Sequence, residues 1–283
     1  MSKIIEIFGT AAETIGGENW RDTFERQWCP YIDRKCLKVR KSQPRTSIGT
    51  CSVLYGEESK PIIICPLRLL ERRQVFTDCL HLLSVHEPGN ELHIVPEISL
   101  PGGNVDYFLA SVKNEKISDF VGIELQTLET TGTVWPERQR FIASLGFPVS
   151  KKDVSSSKGF GMNWKMTAKT TMIQLHHKIQ TFEYINKHLV LVMQDHLLQY
   201  LQQEFQFSHI KEARFGDPMH LHVYGMKKLK NQSHRLDLVS RLSTDTQGIT
   251  LAMGLQAESN VELGIIIKQL ESKISGDTLF RIG

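Results

Sequence analysis

No run of eighteen apolar residues occurs in the chain, which argues against a membrane-spanning helix. The start, MSKIIEIFGTAAETIGG, lacks the long apolar core and cleavage pattern of a secretory signal. A cytoplasmic location is expected. Cysteine is sparse and odd in number, five in 283 residues, so a secreted disulfide scaffold is not expected. Charge of one sign is also in short supply: the net value of +3 permits nucleic-acid binding without demanding it, because local clustering matters more than the total. What remains is an ordinary globular composition, 40% hydrophobic and 23% charged, able to bury a substantial core in one large domain or two smaller ones.

The most informative stretch is residues 96–127, PEISLPGGNVDYFLASVKNEKISDFVGIELQT. Residues 93–100 and 105–112 are rich in apolar and β-branched side chains, and Pro101-Gly102-Gly103-Asn104 supplies the positive φ values that a hairpin needs. A third run, residues 120–126, completes a three-stranded meander. Side chains alternate faces along a strand, so Glu124 and Gln126 share one face, and Asp106 on the neighbouring strand can join them. Glu97 lies across the Gly-Gly turn from Asp106. Converging carboxylates repel unless a cation holds them, and oxygen ligands suit a hard ion such as Mg²⁺. Acidic residues flanking a hairpin are otherwise simply solvated.

The cysteines fall as Cys29-x6-Cys36-x14-Cys51-x13-Cys65, with Cys79 inside an apolar pattern of Val75, Phe76, Leu80, Leu82 and Leu83 that reads as the buried face of a helix over residues 68–84. Four thiolates around a tetrahedral ion can staple a segment with little core of its own, and residues 36–60 are rich in Lys, Arg, Ser, Thr and Gly. The tight Cys-x2-Cys knuckle of common zinc sites is missing, so unrelated reduced cysteines are the plain alternative. Histidines form no set at recognisable ligand spacing: His176-His177 and His220-x-His222 lack partners.

The order Glu97…Asp106…Glu124-Leu125-Gln126 resembles the PD-(D/E)xK nuclease core, with Val105 where that superfamily often has Pro and Gln126 where it usually has Lys. It resembles in particular the NotI-type restriction endonucleases, in which the Gln variation accompanies a four-cysteine metal site. Cys29-Pro30, Cys51-Ser52-Val53, Ile64-Cys65-Pro66 and the run NWKMTAK (163–169) are similar to that family's segments. The resemblance implies an α/β fold, a mixed sheet flanked by helices, with a four-cysteine metal-binding segment over residues 1–67 and a nuclease domain over 68–283. It implies a structural ion on Cys29, Cys36, Cys51 and Cys65, iron in that family, although thiolates accept Fe or Zn. It also implies Mg²⁺-dependent cleavage of double-stranded DNA at a short palindrome by a homodimer, with a cognate methyltransferase sharing the target. Asp106 and Glu124 would bind the catalytic ion, Glu97 would assist and Gln126 would position the nucleophile. Glu71, Asp78 and Glu91 compete with Glu97 for the third acidic place. A structure-specific repair or recombination nuclease and a non-enzymatic DNA-binding protein are the alternatives.

Candidate DNA contacts are Thr131 in the Thr-rich loop 127–136, Arg138 just after it, and Lys165 and Lys169, which share a helix face with Met172 and His176 beside a buried stripe of Trp164, Ala168, Leu175 and Ile179. Residues 147–163 read as a mobile loop. Residues 188–193 read as a buried strand, 194–205 as a helix, 218–224 as a strand carrying both His220 and His222 on one face, and 260–275 as an amphipathic helix. Arg235, Arg241 and Thr244 are further groups that could reach DNA.

Overall fold

The computed structural model describes residues 3–13, 19–254, 267–268 and 271–272. The apolar start forms β1 (Ile4–Ile7), paired with β2 (Thr10–Ala11). Helix α1 (Trp20–Arg26) follows, its first turn closed by the Asp22 N–H donating to the Asn19 side chain. Short hairpins then carry the cysteine segment: β3 (Trp28–Cys29) on β4 (Arg34–Lys35), and β5 (Val39–Arg40) on β6 (Gln43–Ser47). Strands β7 (Thr50–Tyr55) and β8 (Lys60–Ile63) complete a four-stranded sheet in the order β2-β1-β7-β8. Ile4, Ile7, Val53 and Ile62 from this sheet join Val105, Phe108 and Leu191 in one hydrophobic cluster, so the N-terminal strands share a core with the rest of the chain.

Residues 68–84, expected as one helix, are broken. A 3-10 stretch (Pro66–Arg73), α2 (Gln74–Thr77) and a second 3-10 turn (Leu80–Leu82) stand there, with left-handed φ at Arg72 and Arg73. The cause is distant in sequence. Arg68, 1% exposed, forks onto the Glu6 carboxylate at 2.8 and 3.0 Å, while Glu71 accepts the Leu236 N–H at 2.7 Å. A buried charge must keep its partner, and the backbone leaves the helix at Glu71–Arg73, at and just past the second anchor. The apolar face survives the break: Val75, Phe76, Cys79, Leu82 and Leu83 are all buried.

The meander forms as β9 (Glu91–Leu100), β10 (Gly103–Lys113) and β11 (Lys116–Gln126). After it come β12 (Thr130–Gly132), α3 (Trp135–Ser144), α4 (Lys151–Val154) and β13 (Phe160–Met162), the last paired with β12. The expected loop over 147–163 therefore contains a helical turn and a strand. Next are α5 (Trp164–Tyr184), β14 (His188–Gln194), α6 (Asp195–Glu204), β15 (Lys211–Glu212), β16 (Met219–Lys228), β17 (His234–Thr244) and α7 (Thr246–Ala252). The helix expected over 260–275 lies almost wholly outside the described residues.

The central sheet has seven strands in the order β15-β17-β16-β14-β11-β10-β9. Strands β11, β14 and β16 run parallel and the other pairs antiparallel, which makes the fold α/β with a mixed sheet. Parallel neighbours need a crossover, and the chain from β11 to β14 returns through α5. Helices α5, α6 and α7 pack together on one face, and the 3-10 and α2 segments cover the other. Gly122 on β11 lets α5 approach, since a Cβ there would lie 2.5 Å from Phe182. Among the described residues, no helix is long and apolar enough to cross a membrane.

Candidate functional site

The meander brings two of the predicted carboxylates, Asp106 and Glu124, near each other. Tyr107 pairs with Pro96 on one side and Ile123 on the other; Asp106 itself is paired with neither Glu97 nor Glu124 in the ladders, but its charge reaches Glu124 on β11. Ile123 and Leu125 belong to the cluster on the 3-10 face, which leaves Glu124 on the α5 face. The β10–β11 ladder ends at this point, and the Asp106 side chain takes its place by accepting the Leu125 N–H at 2.8 Å. Glu97 is exposed and holds a left-handed φ of +45°, a conformation that costs a non-glycine residue about 1 kcal/mol. The rivals for the third acidic place are engaged elsewhere. Glu71 takes Arg68 and the Leu236 N–H, Asp78 accepts the Tyr224 hydroxyl at 2.7 Å, and Glu91 sits at the far end of β9 opposite Val112.

One member of the corner escaped the sequence reading. Lys178 of α5 places its Nζ 2.5 Å from Glu124 Oε1, with 9% of the lysine side chain and 13% of the glutamate side chain exposed. The helix is clamped onto the β9–β10 turn beside this pair: Thr181 donates to Pro101 O at 2.8 Å, and a Cβ on Gly102 would lie 2.7 Å from His177 O. Burial pushes the Glu124 carboxyl up to about 7, with the Asp106 charge adding to the rise and Lys178 opposing it. Gln126 turns its amide nitrogen to Thr127 O at 2.8 Å, which leaves its oxygen as the acceptor a water could use.

The DNA candidates separate on inspection. Thr131, Lys165 and Lys169 are exposed. At about 100° per residue, Lys165 and Lys169 fall on the side of α5 away from Lys178, roughly 20 and 14 Å along the helix from it. The expected face is also smaller than the spacing suggested, because Met172 is buried. Arg138 corrects the sequence reading outright: it is 4% exposed and donates to Ile48 O and Ser47 O at 2.6 and 3.2 Å, tying α3 to the cysteine segment. Burial lowers its pKa to about 10. Thr244 is likewise buried and donates to His209 O, and Arg235 pairs with Asp237.

Cys29, Cys36, Cys51 and Cys65 are all buried and none is in a disulfide. Burial raises the thiols of Cys29, Cys51 and Cys65, and neighbouring cysteines push them further: Cys36 acts on Cys29 and Cys65, while Cys65 and Cys29 act on Cys51. Each of the four thiols thus acts on at least one other, and their donor chemistry suits a thiophilic ion. On the 3-10 face of the sheet, burial raises the Tyr107 hydroxyl, with Asp106 and Cys29 adding to the rise and Arg34 opposing it. Cys79 stands apart in the core beside His222. Among the described residues, no three His, Cys, Asp or Glu side chains already form a group ready to hold a metal. Both sets are candidates by donor type alone.

A second cluster was also missed. His188, His220 and His222 share one sheet face and His81 covers them, with ring centres 5.3, 6.5 and 6.0 Å apart along the series His188–His220–His222–His81. The alternation over 218–224 had put His220 and His222 on one face, but the strand pairing that adds His188 is not a local signal. No protein-family model matches the chain and no curated protein matches it either.

Proposed function

We propose that the chain is a Mg²⁺-dependent nuclease of the restriction-endonuclease kind, acting on double-stranded DNA at a short palindromic sequence as a homodimer. The observation that supports this reading is the nearness of Asp106 and Glu124 on adjacent strands, where the Asp106 carboxylate accepts the Leu125 N–H and its charge acts on Glu124, with a parallel strand joined through a helix beside them. Asp106 and Glu124 would hold the ion, with Glu97 assisting directly or through water. Bound there, Mg²⁺ would neutralise charge on the phosphate and lower the pKa of the attacking water. Asp106 is fixed for this by the Leu125 N–H, and the free Gln126 oxygen can orient a water proton. The four cysteines would hold a structural Fe or Zn, stapling the short hairpins of the N-terminal segment.

The test is digestion of a sequenced phage genome with purified protein and Mg²⁺, alongside Glu124→Ala. Discrete ends sharing one short motif, absent in the variant, are expected. Cleavage at junctions or flaps without a shared motif would turn the assignment to a structure-specific nuclease. One observation favours a non-enzymatic DNA-binding protein: Glu124 already has an internal counter-charge in Lys178. Absence of any Mg²⁺-dependent cleavage would select that reading.

A further inference from the structure

The nearest cation to Glu124 belongs to the protein. Lys178 reaches the carboxylate from α5, is 8% exposed as a residue, and makes its one hydrogen bond to Glu124. Its stem is hemmed by the β9–β10 turn, where a Cβ on Gly103 would lie 3.3 Å from the Lys178 Cε. The ammonium therefore has little room to leave for solvent. If Glu124 takes a divalent ion, as the proposed function requires, the incoming charge must share or displace this ammonium. A buried ammonium left without an anion is costly, so displacement is favourable only when another anion arrives to receive it. On a nuclease, the arriving anion is a phosphodiester.

We propose that Lys178 is an internal counter-cation that competes with the divalent ion for Glu124 and thereby ties ion loading to the arrival of the DNA phosphate. The inference rests on the nuclease reading and adds a regulatory property to its site. By linkage, an ion that must evict Lys178 binds weakly to the free protein and more tightly once phosphate is present, and DNA binding gains equally from the ion. Lys178 meets Glu124 in the free protein and the phosphate in the complex, so its effect must appear in ion affinity as well as in cleavage.

The experiment is calorimetric titration of Mg²⁺ into DNA-free protein at pH 8.5, for wild type, Lys178→Met, Lys178→Gln and Lys178→Arg, each first checked for folding by thermal unfolding. Lys178→Met is expected to bind Mg²⁺ about tenfold more tightly than wild type, because a positive charge has left the site. Its cleavage at saturating Mg²⁺ should fall by about a hundredfold, since the phosphate loses its receiving charge. Lys178→Gln should behave like Lys178→Met, and Lys178→Arg should stay near wild type in both. A folded Lys178→Met or Lys178→Gln that binds Mg²⁺ no more tightly than a wild type that binds and cuts would overturn the inference alone. A wild type that neither binds Mg²⁺ nor cuts would remove the nuclease reading, and this inference with it.

Discussion

Two corners of the same sheet handle burial of ionisable groups in opposite ways. On the α5 face, Glu124 and Lys178 are both largely buried and stay together as an ion pair. On the opposite face, His220 and His222 are 1% and 0% exposed and are held neutral. Burial, and then neighbouring positive or protonatable groups, lower them to about 4 and about 3; His188 adds for His220, while Arg241, His220 and His81 add for His222. His220 Nε2 and His188 Nδ1 both approach Asp217 O, at 2.8 and 3.0 Å, and Cys79 lies 3.8 Å from His222 Nδ1. His220 Nδ1 and His222 Nε2 have no hydrogen-bond partner. Glutamate and lysine can cancel each other, whereas His81, His220 and His222, crowded together near Arg241, can only shed their protons. A stored charge pair is available to a passing ion or phosphate, and a set of neutral rings is not.

The largest effect should come from unbalancing the pair. Glu124→Leu strands the Lys178 ammonium in a site with little water, and a loss of about 3–5 kcal/mol is expected. Lys178→Met should cost less, because the remaining carboxyl can take up a proton. The double variant Glu124→Leu/Lys178→Met should recover to within about 1 kcal/mol of wild type, as apolar replacements of buried pairs often do. Urea midpoints for the four proteins measure this cycle, and simple additivity of the two single changes would show that the pair is not coupled. The matching change in the other corner, His222→Leu, breaks no ion pair and should cost about 1 kcal/mol or less at pH 7.5.

Acid separates the corners by sign. A histidine whose folded pKa is lowered imposes no penalty above its unfolded value near 6.5, and as pH falls below that value the unfolded state takes up the proton first. Between pH 6.5 and 5, His220 and His222 should each remove about 2 kcal/mol of stability. Glu124 runs the other way. Its folded pKa is raised, so its contribution is complete below the unfolded carboxylate value and is lost as pH rises through about 7. Urea denaturation at pH 7.5 and 5.0 should therefore find His222→Gln less acid-sensitive than wild type and Glu124→Gln more so. Equal acid sensitivity of His222→Gln and wild type would mean that the ring is already protonated or solvated in the folded state.

Alternation and turn chemistry made the meander readable: the three strands β9 to β11 follow from local pattern, while the turn expected over residues 101–104 is tighter, with Gly103 already paired to Leu100. The buried run β14 and helix α6 were equally plain. What local pattern hid was the partner of each buried charge. Arg68 breaks the expected helix because Glu6 lies 62 residues away in sequence and beside it in space. Lys178 and Arg138 did leave a trace, since each interrupts an apolar stripe: Lys178 stands among Leu175, Ile179 and Phe182, and Arg138 stands between Val134 and Phe141 with Ile142. A cation at a core position on an amphipathic helix signals a buried anion or carbonyl. The histidine corner left no such trace, because it needs β14 beside β16 in parallel, which no turn encodes.

The smallest effect concerns the exposed lysines, and it bears on whether the acidic corner and α5 form one DNA surface. Lys165 and Lys169 lie on the side of α5 turned from Lys178, so their loss touches no packed group and should change stability by no more than about 0.5 kcal/mol. If duplex DNA wraps from the acidic corner around this helix, the double change Lys165→Ala/Lys169→Ala removes two phosphate contacts, and the slope of log affinity against log salt should fall by about two. If DNA stays on the sheet edge, the slope should not move, while Lys178→Met still lowers cleavage. Salt titrations of duplex binding by fluorescence anisotropy distinguish the two. An unchanged slope would confine the DNA surface to the carboxylate row and its buried lysine, and would leave the outer face of α5 as a solvated surface, the ordinary fate of a basic helix stripe.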